Sequence, residues 1–344
     1  RYERKERLFY SIMAVAMVLF VGLRTGYNDT GTYRDVYNVM YVPNNILHGI
    51  EWTKIGENPG FDFTNRVLKT LGFSAQSFLM FYAAITVGIY LWFLRKYSCD
   101  LPLTIFLFVT YAGYIFTCAA IKQCMAMALC LLATDRAIRK RYVAFVLWIL
   151  AACLFHPYAL MYLIVPFMMF RPWGYGTVLM LALFALVGFS LQRLTGTIVD
   201  VTTLLGENFD AESFTGEGVN PIRMIVTAVP VLVSFITSSV IARKNDRVQN
   251  MMLNLTMLNA EIMFVALFGT ANYFARLANY FLTFQALSIP WLFTHFEPKS
   301  RKLITWIAVA CYALFFVYSQ AIHERFDGGY SSITLWKYLQ SLFV

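Results

Sequence analysis

Five cationic or imidazole side chains interrupt or abut long apolar runs. Arg24 follows the first run and precedes Gly26-Tyr27-Asn28-Asp29-Thr30. Lys122 sits in Ala119-Ala120-Ile121-Lys122-Gln123, and His156-Pro157 splits a run from Tyr142 to Phe170. Arg223 comes just after Asn220-Pro221, and Arg276 lies inside Ala271-Asn272-Tyr273-Phe274-Ala275-Arg276. Glu261 stands in the run before Arg276. Charge at membrane depth is costly, and such residues are functional candidates by default. An Arg fork can clamp phosphate oxygens two at a time, whereas Lys acts as a point charge. A cluster of these groups suits an anion, and a diphosphate in particular. Each residue also has a plainer reading. A single Arg or Lys at a helix end reaches back to headgroups, His156 can satisfy a carbonyl freed by Pro157, and Glu261 can pair internally with Arg276. What favours a site is the clustering on one face of the membrane, which depends on the elements that carry these residues.

Those elements are apolar helices. Of 344 residues, 59% are hydrophobic and only 14% charged. Soluble domains run at about 45–50% apolar and about 25% charged, so both a soluble enzyme and a disordered chain are excluded. The apolar runs are continuous, which argues against a barrel, whose strands alternate over about 10 residues. Spans are expected near 8–23, 74–94, 101–117, 119–134, 142–155, 158–170, 175–191, 222–242, 249–268, 273–294 and 303–319. The chain is therefore expected to be an all-α, polytopic integral membrane protein of about eleven helices, a single transmembrane domain over 1–344. Proline lacks an amide donor and disfavours helix in the residue before it, so the run is broken at His156. Alternating the spans from a cytoplasmic N-terminus puts 17 of 28 Lys and Arg, but six of 19 Asp and Glu, on the inner side. The balance is +11 inside against −2 outside. That bias supports the orientation and the break, and it places all five residues on the outer side.

Two long outer loops follow. The first, 24–73, carries Tyr33, Val36, Tyr37, Met40 and Tyr41 at helical spacing, and Phe63, Val67 and Leu71 further on, so interfacial helices are expected there. Between them Glu57-Asn58-Pro59-Gly60-Phe61 is a turn signal. The second loop, 192–221, contains an acidic, Gly-containing run from Gly206 to Gly218, read either as a lid or as a solvated linker. The chain begins with Arg1 rather than Met, as a trimmed chain would, and no signal-peptide pattern precedes the first long run. The six cysteines form no CxxC pair and read as small core residues. No P-loop, HExxH or GxSxG motif is present, and with four His no metal and no cofactor are expected. Asp29-Thr30-Gly31 occurs once, without the second copy an aspartic protease needs. Nucleic acid is not expected as a partner, because the basic excess is of the positive-inside kind.

In this order the motifs resemble the EpsG family of bacterial membrane proteins, the Wzy-like polymerases of exopolysaccharide and O-antigen assembly. Gly22-Leu23-Arg24 with Asp29-Thr30 and Tyr33 resembles the family's opening motif. Glu57-Asn58-Pro59-Gly60-Phe61 resembles its Glu-Pro-Gly-aromatic turn with one residue inserted or shifted. Lys122-Gln123 with Ala126 resembles its Arg-Gln step, with Lys in place of Arg. Phe155-His156-Pro157-Tyr158-Ala159-Leu160 resembles its Phe-His-x-Ser-Ala element, with Pro-Tyr after the histidine. Arg276 with Tyr280-Phe281 resembles its late Arg and Tyr-Phe element.

The resemblance implies a glycosyltransferase-C-like polymerase in the bacterial cytoplasmic membrane. It would join undecaprenyl-diphosphate-linked oligosaccharides at the outer leaflet, with the bilayer and chain-length or export proteins as partners. The expected diphosphate ligands are Arg24, Lys122, Arg223 and Arg276. The expected base is His156, whose ordinary pKa near 6.5 suits proton transfer, or else Asp29. Sugar or lipid contacts are expected from Gln123, Glu57, Tyr33, Tyr280 and Glu261, with Tyr27, Tyr37 and Trp52 lining a vestibule. Two rivals stay open. An O-antigen ligase usually carries its large outer loop late in the chain, whereas here the largest is early. A flippase or transporter usually shows inverted repeats, and none is visible.

Overall fold

The computed structural model describes residues 2–111, 113–204, 218–269, 271–323 and 329–342. It is 79% helical. In chain order the elements are α1 (Tyr2–Gly22), β1 (Arg24–Gly26), α2 (Thr30–Val39), α3 (Pro59–Thr70), α4 (Ala75–Tyr97), α5 (Leu101–Thr110), α6 (Gly113–Ala119), α7 (Ile121–Ile138) and α8 (Tyr142–Cys153). A 3-10 helix (Pro157–Met169) follows, then α9 (Tyr175–Phe189), α10 (Leu191–Leu204), α11 (Pro221–Ile236), α12 (Ser238–Lys244), α13 (Arg247–Val265), α14 (Ala271–Asn279) and α15 (Leu282–Phe293). The chain then runs through α16 (Pro298–Val317), β2 (Ser331–Ser332) and α17 (Leu335–Gln340).

Among the described residues each of the eleven apolar runs is largely helical, and local chemistry sets the ends. Ser74, Asp100 and Asp246 accept backbone N–H groups at the starts of α4, α5 and α13, and Pro stands in the first turn of α3, α11 and α16. Length tells a different story from composition. Among the described residues two helices, Ala75–Tyr97 and Pro298–Ile322, are long and apolar enough to cross a membrane, and up to five crossings result if each bent pair is one span. The runs 142–153, 157–169 and 282–293 are shorter. The expected count of eleven therefore rests on apolarity, not on helix length.

α13 is the axis of the bundle. It is buried almost throughout and packs against α9, α11, α14, α15 and the 3-10 helix. α7 is buried in the same way, between α4, α8 and the 3-10 helix. Apolar side chains face outward on α8, α9 and α16, among them Val143, Leu179, Leu183, Trp306 and Leu314. Such a surface is a liability in water and suits acyl chains. Four of the six free cysteines are buried, and Cys99 and Cys311 are exposed.

Two features depart from expectation, and one expected feature lies outside the described residues. Residues 191–204 of the second outer loop are helical, bent sharply from α9 by 103° over Arg193–Leu204. The Gly206–Gly218 stretch lies outside the described residues except for Gly218. Finally, β1 and β2 pair antiparallel, Arg24 opposite Ser332 and Gly26 opposite Ser331. The end of the chain is thereby brought beside Arg24.

Candidate functional site

The site is assembled where four interruptions in helix meet. The first is the turn before α3. Asn58 adopts a left-handed backbone (φ 54°), and Pro59 starts the helix. The Gly60 amide then donates to the Leu154 carbonyl at 2.8 Å. A Cβ on Gly60 would lie 2.7 Å from Leu154 Cβ, so only glycine allows this approach. Leu154 caps α8, and His156 follows in extended backbone before Pro157 starts the 3-10 helix. The conformational cost of Pro157 thus places the imidazole in a break, beside the α3 turn.

α7 supplies the next pair. Lys122 Nζ lies 5.3 Å from the centroid of Phe61, the residue after Gly60. Gln123 donates to the Arg276 carbonyl at 2.7 Å, which fixes the start of α7 against α14. Just beyond α14, Tyr280 Oη and His156 Nδ1 are 3.0 Å apart, and Tyr162 holds the Tyr280 carbonyl at 2.5 Å. Tyr158 stacks edge-on against both His156 and Tyr273 of α14. The Arg276 side chain is exposed, and among the described residues no hydrogen-bond or ion-pair partner holds its guanidinium. Burial pushes the protonation of His156, in its break, down to about 3, and Arg276 and Lys122 push it the same way. All three groups therefore share one field, and at neutral pH the imidazole is uncharged.

Tyr33 in α2 joins this field from the loop side. Burial, with Asp29 nearby, pushes its phenol up to about 12, and Arg276 and Arg24 oppose that rise. Arg24 itself is buried. Its Nε donates to Thr30 Oγ1 at 3.1 Å and its Nη1 to the Val21 carbonyl at 2.5 Å. It has no carboxylate partner among the described residues, so it is a buried cation fixed by neutral acceptors. Arg223 donates to Asn279 Oδ1 at 2.9 Å, one turn beyond Arg276 on α14.

Not every expected residue joins them. Asp29, just before α2, and Glu57, at the end of a short 3-10 turn (Ile55–Glu57), are exposed, with no hydrogen bond or ion pair to His156 or Arg276 among the described residues. Glu261 does not pair with Arg276, and both its carboxyl oxygens are buried without a hydrogen-bond partner among the described residues. Helical geometry explains why. Asn259 donates to the Ala278 carbonyl of α14, and two residues of helix rotate Glu261 by about 200° away from that side. Its face is that of Asn254, which donates to the Met168 and Phe170 carbonyls. In the vestibule, Tyr37 is buried, its hydroxyl donating to the Phe73 carbonyl at 3.0 Å. Trp52 packs on Phe63.

Sequence reasoning missed Phe61 as the ring under Lys122 and Asn279 as the partner of Arg223. Asn279 had one available signal, its spacing of three residues from Arg276 on a helix. Thr30, which holds Arg24, was part of a quoted motif but had no role.

These features define a class: a helical membrane protein with a cluster of cationic side chains where helix breaks meet. The model of the EpsG family matches residues 7–334, nearly the whole chain, and the protein belongs to the EpsG family. That membership makes it an exopolysaccharide-related membrane protein. No curated protein and no solved structure matches the chain significantly.

Proposed function

We propose that this protein is a polysaccharide polymerase. It joins oligosaccharide repeat units carried on undecaprenyl diphosphate, at the outer leaflet of the bacterial cytoplasmic membrane, from a bundle of eleven membrane-crossing helices. The observation that carries the reading is that Arg276 and Lys122 act on the His156 imidazole in one electrostatic field, with the Arg276 side chain exposed.

In the reaction, a hydroxyl of the incoming unit attacks the anomeric carbon of the growing chain. A new C–O bond forms as the bond to the diphosphate breaks, and the departing diphosphate takes the electron pair. Arg276 and Lys122 stabilise the negative charge growing on it, by electrostatics arranged in advance. Arg24 contributes from its fixed, buried position. The hydroxyl proton passes to His156 Nε2, whose basicity, lower in the free protein than the ordinary histidine value, rises once the bound diphosphate offsets Arg276 and Lys122. That role requires the tautomer in which Nδ1–H donates to Tyr280 Oη and Nε2 carries the free lone pair. Tyr280 is then a positioning residue, and Gln123 positions Arg276 through its carbonyl.

The test is turnover by the purified protein in nanodiscs, given undecaprenyl-diphosphate-linked repeat units in the presence of EDTA. The expected result is a ladder of repeat multiples with release of undecaprenyl diphosphate. Intact monomeric substrate, with the authentic repeat unit supplied, would overturn the proposal.

A further inference from the structure

The substrate of such a reaction has a long hydrocarbon tail, and the cationic cluster of Arg276, Lys122 and His156 offers it only polar and aromatic groups. A second feature begins one turn below it. A crevice of about 190 Å³ opens between α11, α15 and α16, lined by Val226, Val229, Pro230, Val233, Ala308 and Cys311 among others. Its lining is almost wholly apolar, with the hydroxyl of Tyr312 held by Gln285 at 3.1 Å.

Three observations connect this crevice to the cationic cluster. First, Arg223, Val226, Pro230 and Val233 recur at intervals of three to four residues and so share one face of α11. Arg223 heads that face, and its guanidinium is tied to Asn279, one turn from Arg276. Second, the crevice follows from the sequence. Pro230 has no amide to offer the Val226 carbonyl, and that carbonyl instead accepts from Gln285 of α15 at 3.3 Å. Pro290 interrupts the facing helix α15 one residue after Ile289, which also lines the crevice. Two helices weakened at the same level part more readily than regular ones. Third, the arrangement is that of an amphiphile. A cation stands at one end, and about 10 Å of apolar wall, from Val226 to Val233 at about 1.5 Å per residue, runs from it.

We propose that the crevice between α11, α15 and α16 is the berth for the first isoprene units of the lipid diphosphate, with Arg223 holding the diphosphate end. This inference rests on the polymerase reading and deepens it. The carrier would enter sideways from the bilayer between α11 and α16, and its head would reach Arg276 without the tail leaving the membrane. A soluble phosphate would gain nothing from this wall, and a diacyl lipid would compete for it only weakly.

The test uses the full chain in nanodiscs with a diazirine-bearing polyprenyl diphosphate, cross-linked by light and mapped by mass spectrometry. Labels are expected on α11 and α16 near Val229 and Cys311, and unlabelled undecaprenyl diphosphate should compete them away. Ala308→Trp should fill the crevice and cut labelling there at least tenfold, while raising KM for the lipid-linked substrate more than it lowers kcat. Cys311→Trp, reaching the same space from another turn, should do the same if Ala308→Trp does not fold. Arg223→Ala should weaken labelling by the diphosphate probe but not by a diazirine phosphatidylglycerol. Saturable labelling confined to another helix face, unchanged by either Trp variant, would overturn the berth while leaving the polymerase reading in place. So would equal, uncompeted labelling by the phosphatidylglycerol probe. If no polyprenyl diphosphate binds saturably anywhere, the polymerase reading falls and the berth with it.

Discussion

At the residue scale, the decisive contrast is between two arginines. Arg24 is buried and already donates to Thr30 and Val21, whereas Arg276 is exposed and unpaired among the described residues. Removing Arg24 takes away internal hydrogen bonds as well as charge, so its loss mixes folding with chemistry. Arg276→Ala is the cleaner change. It should reduce turnover at least a hundredfold, as removal of a preorganised donor does, and leave the detergent melting temperature within about 2 °C of wild type, since it breaks no internal bond. Arg276→Lys should restore charge but not the bidentate grip, and recover only part of the rate. Normal polymer from Arg276→Ala would remove it from the mechanism. The imidazole gives a second prediction, in pH. Burial, Arg276 and Lys122 hold the free protein's His156 down to about 3, so its basic form persists to well below the ordinary histidine range. The acid limb of kcat/KM, which reports the free enzyme, should therefore show no inflection near 6.5. Bound diphosphate offsets both cations and favours the imidazolium, so the acid limb of kcat should lie at higher pH than that of kcat/KM. Tyr280→Phe should keep both limbs in place and lower kcat, because it frees the ring orientation without touching the cations. An inflection at 6.5 in kcat/KM would show that His156 is not held as described.

At the element scale, the site depends on one short contact between a loop and a break. Gly60 and Leu154 are 94 residues apart in sequence, and their hydrogen bond joins the start of α3 to the end of α8. Gly60→Ala would put a Cβ about 2.7 Å from Leu154 Cβ, and the overpacking costs about 1–3 kcal/mol. The break must then shift, and His156 sits two residues on. Turnover should fall tenfold or more, with a lowered melting temperature. A neighbouring control, Gly31→Ala, meets nothing within 4 Å and should change neither. Equal activity in Gly60→Ala would show that the break tolerates displacement. This contact also marks how much of the molecule was legible beforehand. The helices were, because continuous apolar runs and proline positions are local signals, and the break at His156 followed from Pro157 together with the charge bias. The Gly60–Leu154 contact had no local signature beyond a glycine in a turn. The pairing of Arg24 with Ser332 joins opposite ends of the chain, and nothing in either stretch marks it as a strand. The plainer reading of Glu261, an internal pair with Arg276, fails because two residues of helix turn it away from the side on which Asn259 reaches α14.

At the scale of the whole molecule, the open question is how deep the break lies. α4, with 23 residues, runs about 35 Å at about 1.5 Å per residue, enough for the roughly 30 Å hydrocarbon layer. α8 has 12 residues and runs only about 18 Å. The 13-residue 3-10 helix recovers length by its steeper rise of about 2.0 Å per residue, reaching about 26 Å. Both helices share the break at His156, so two helices of unequal reach meet at one point below the surface that α4 attains. Two full crossings and a re-entrant hairpin place Arg141 and Arg171 on the same side, so the depth of the break is independent of the positive-inside bias. The Gly60–Leu154 bond does bear on it, since α3 follows the end of α1 and precedes the start of α4, and so roofs the break from the loop side. The arrangement fits a break recessed by about 10 Å below the end of α4, just beneath the headgroups, within reach of a lipid's diphosphate while its tail stays in the bilayer. Single-cysteine labelling in intact cells decides the matter, in a background with Cys99 and Cys311 replaced by Ser. Thr53→Cys, in the exposed loop, should react at once with an impermeant maleimide added from outside. Phe155→Cys should react with a small methanethiosulfonate reagent from outside, more slowly, and not with a bulky maleimide. Arg171→Cys should react only after the membrane is permeabilised. Prompt labelling of position 155 by the bulky reagent would put the break at the surface, and labelling from the inside alone would reverse the orientation on which an outer-leaflet polymerase depends.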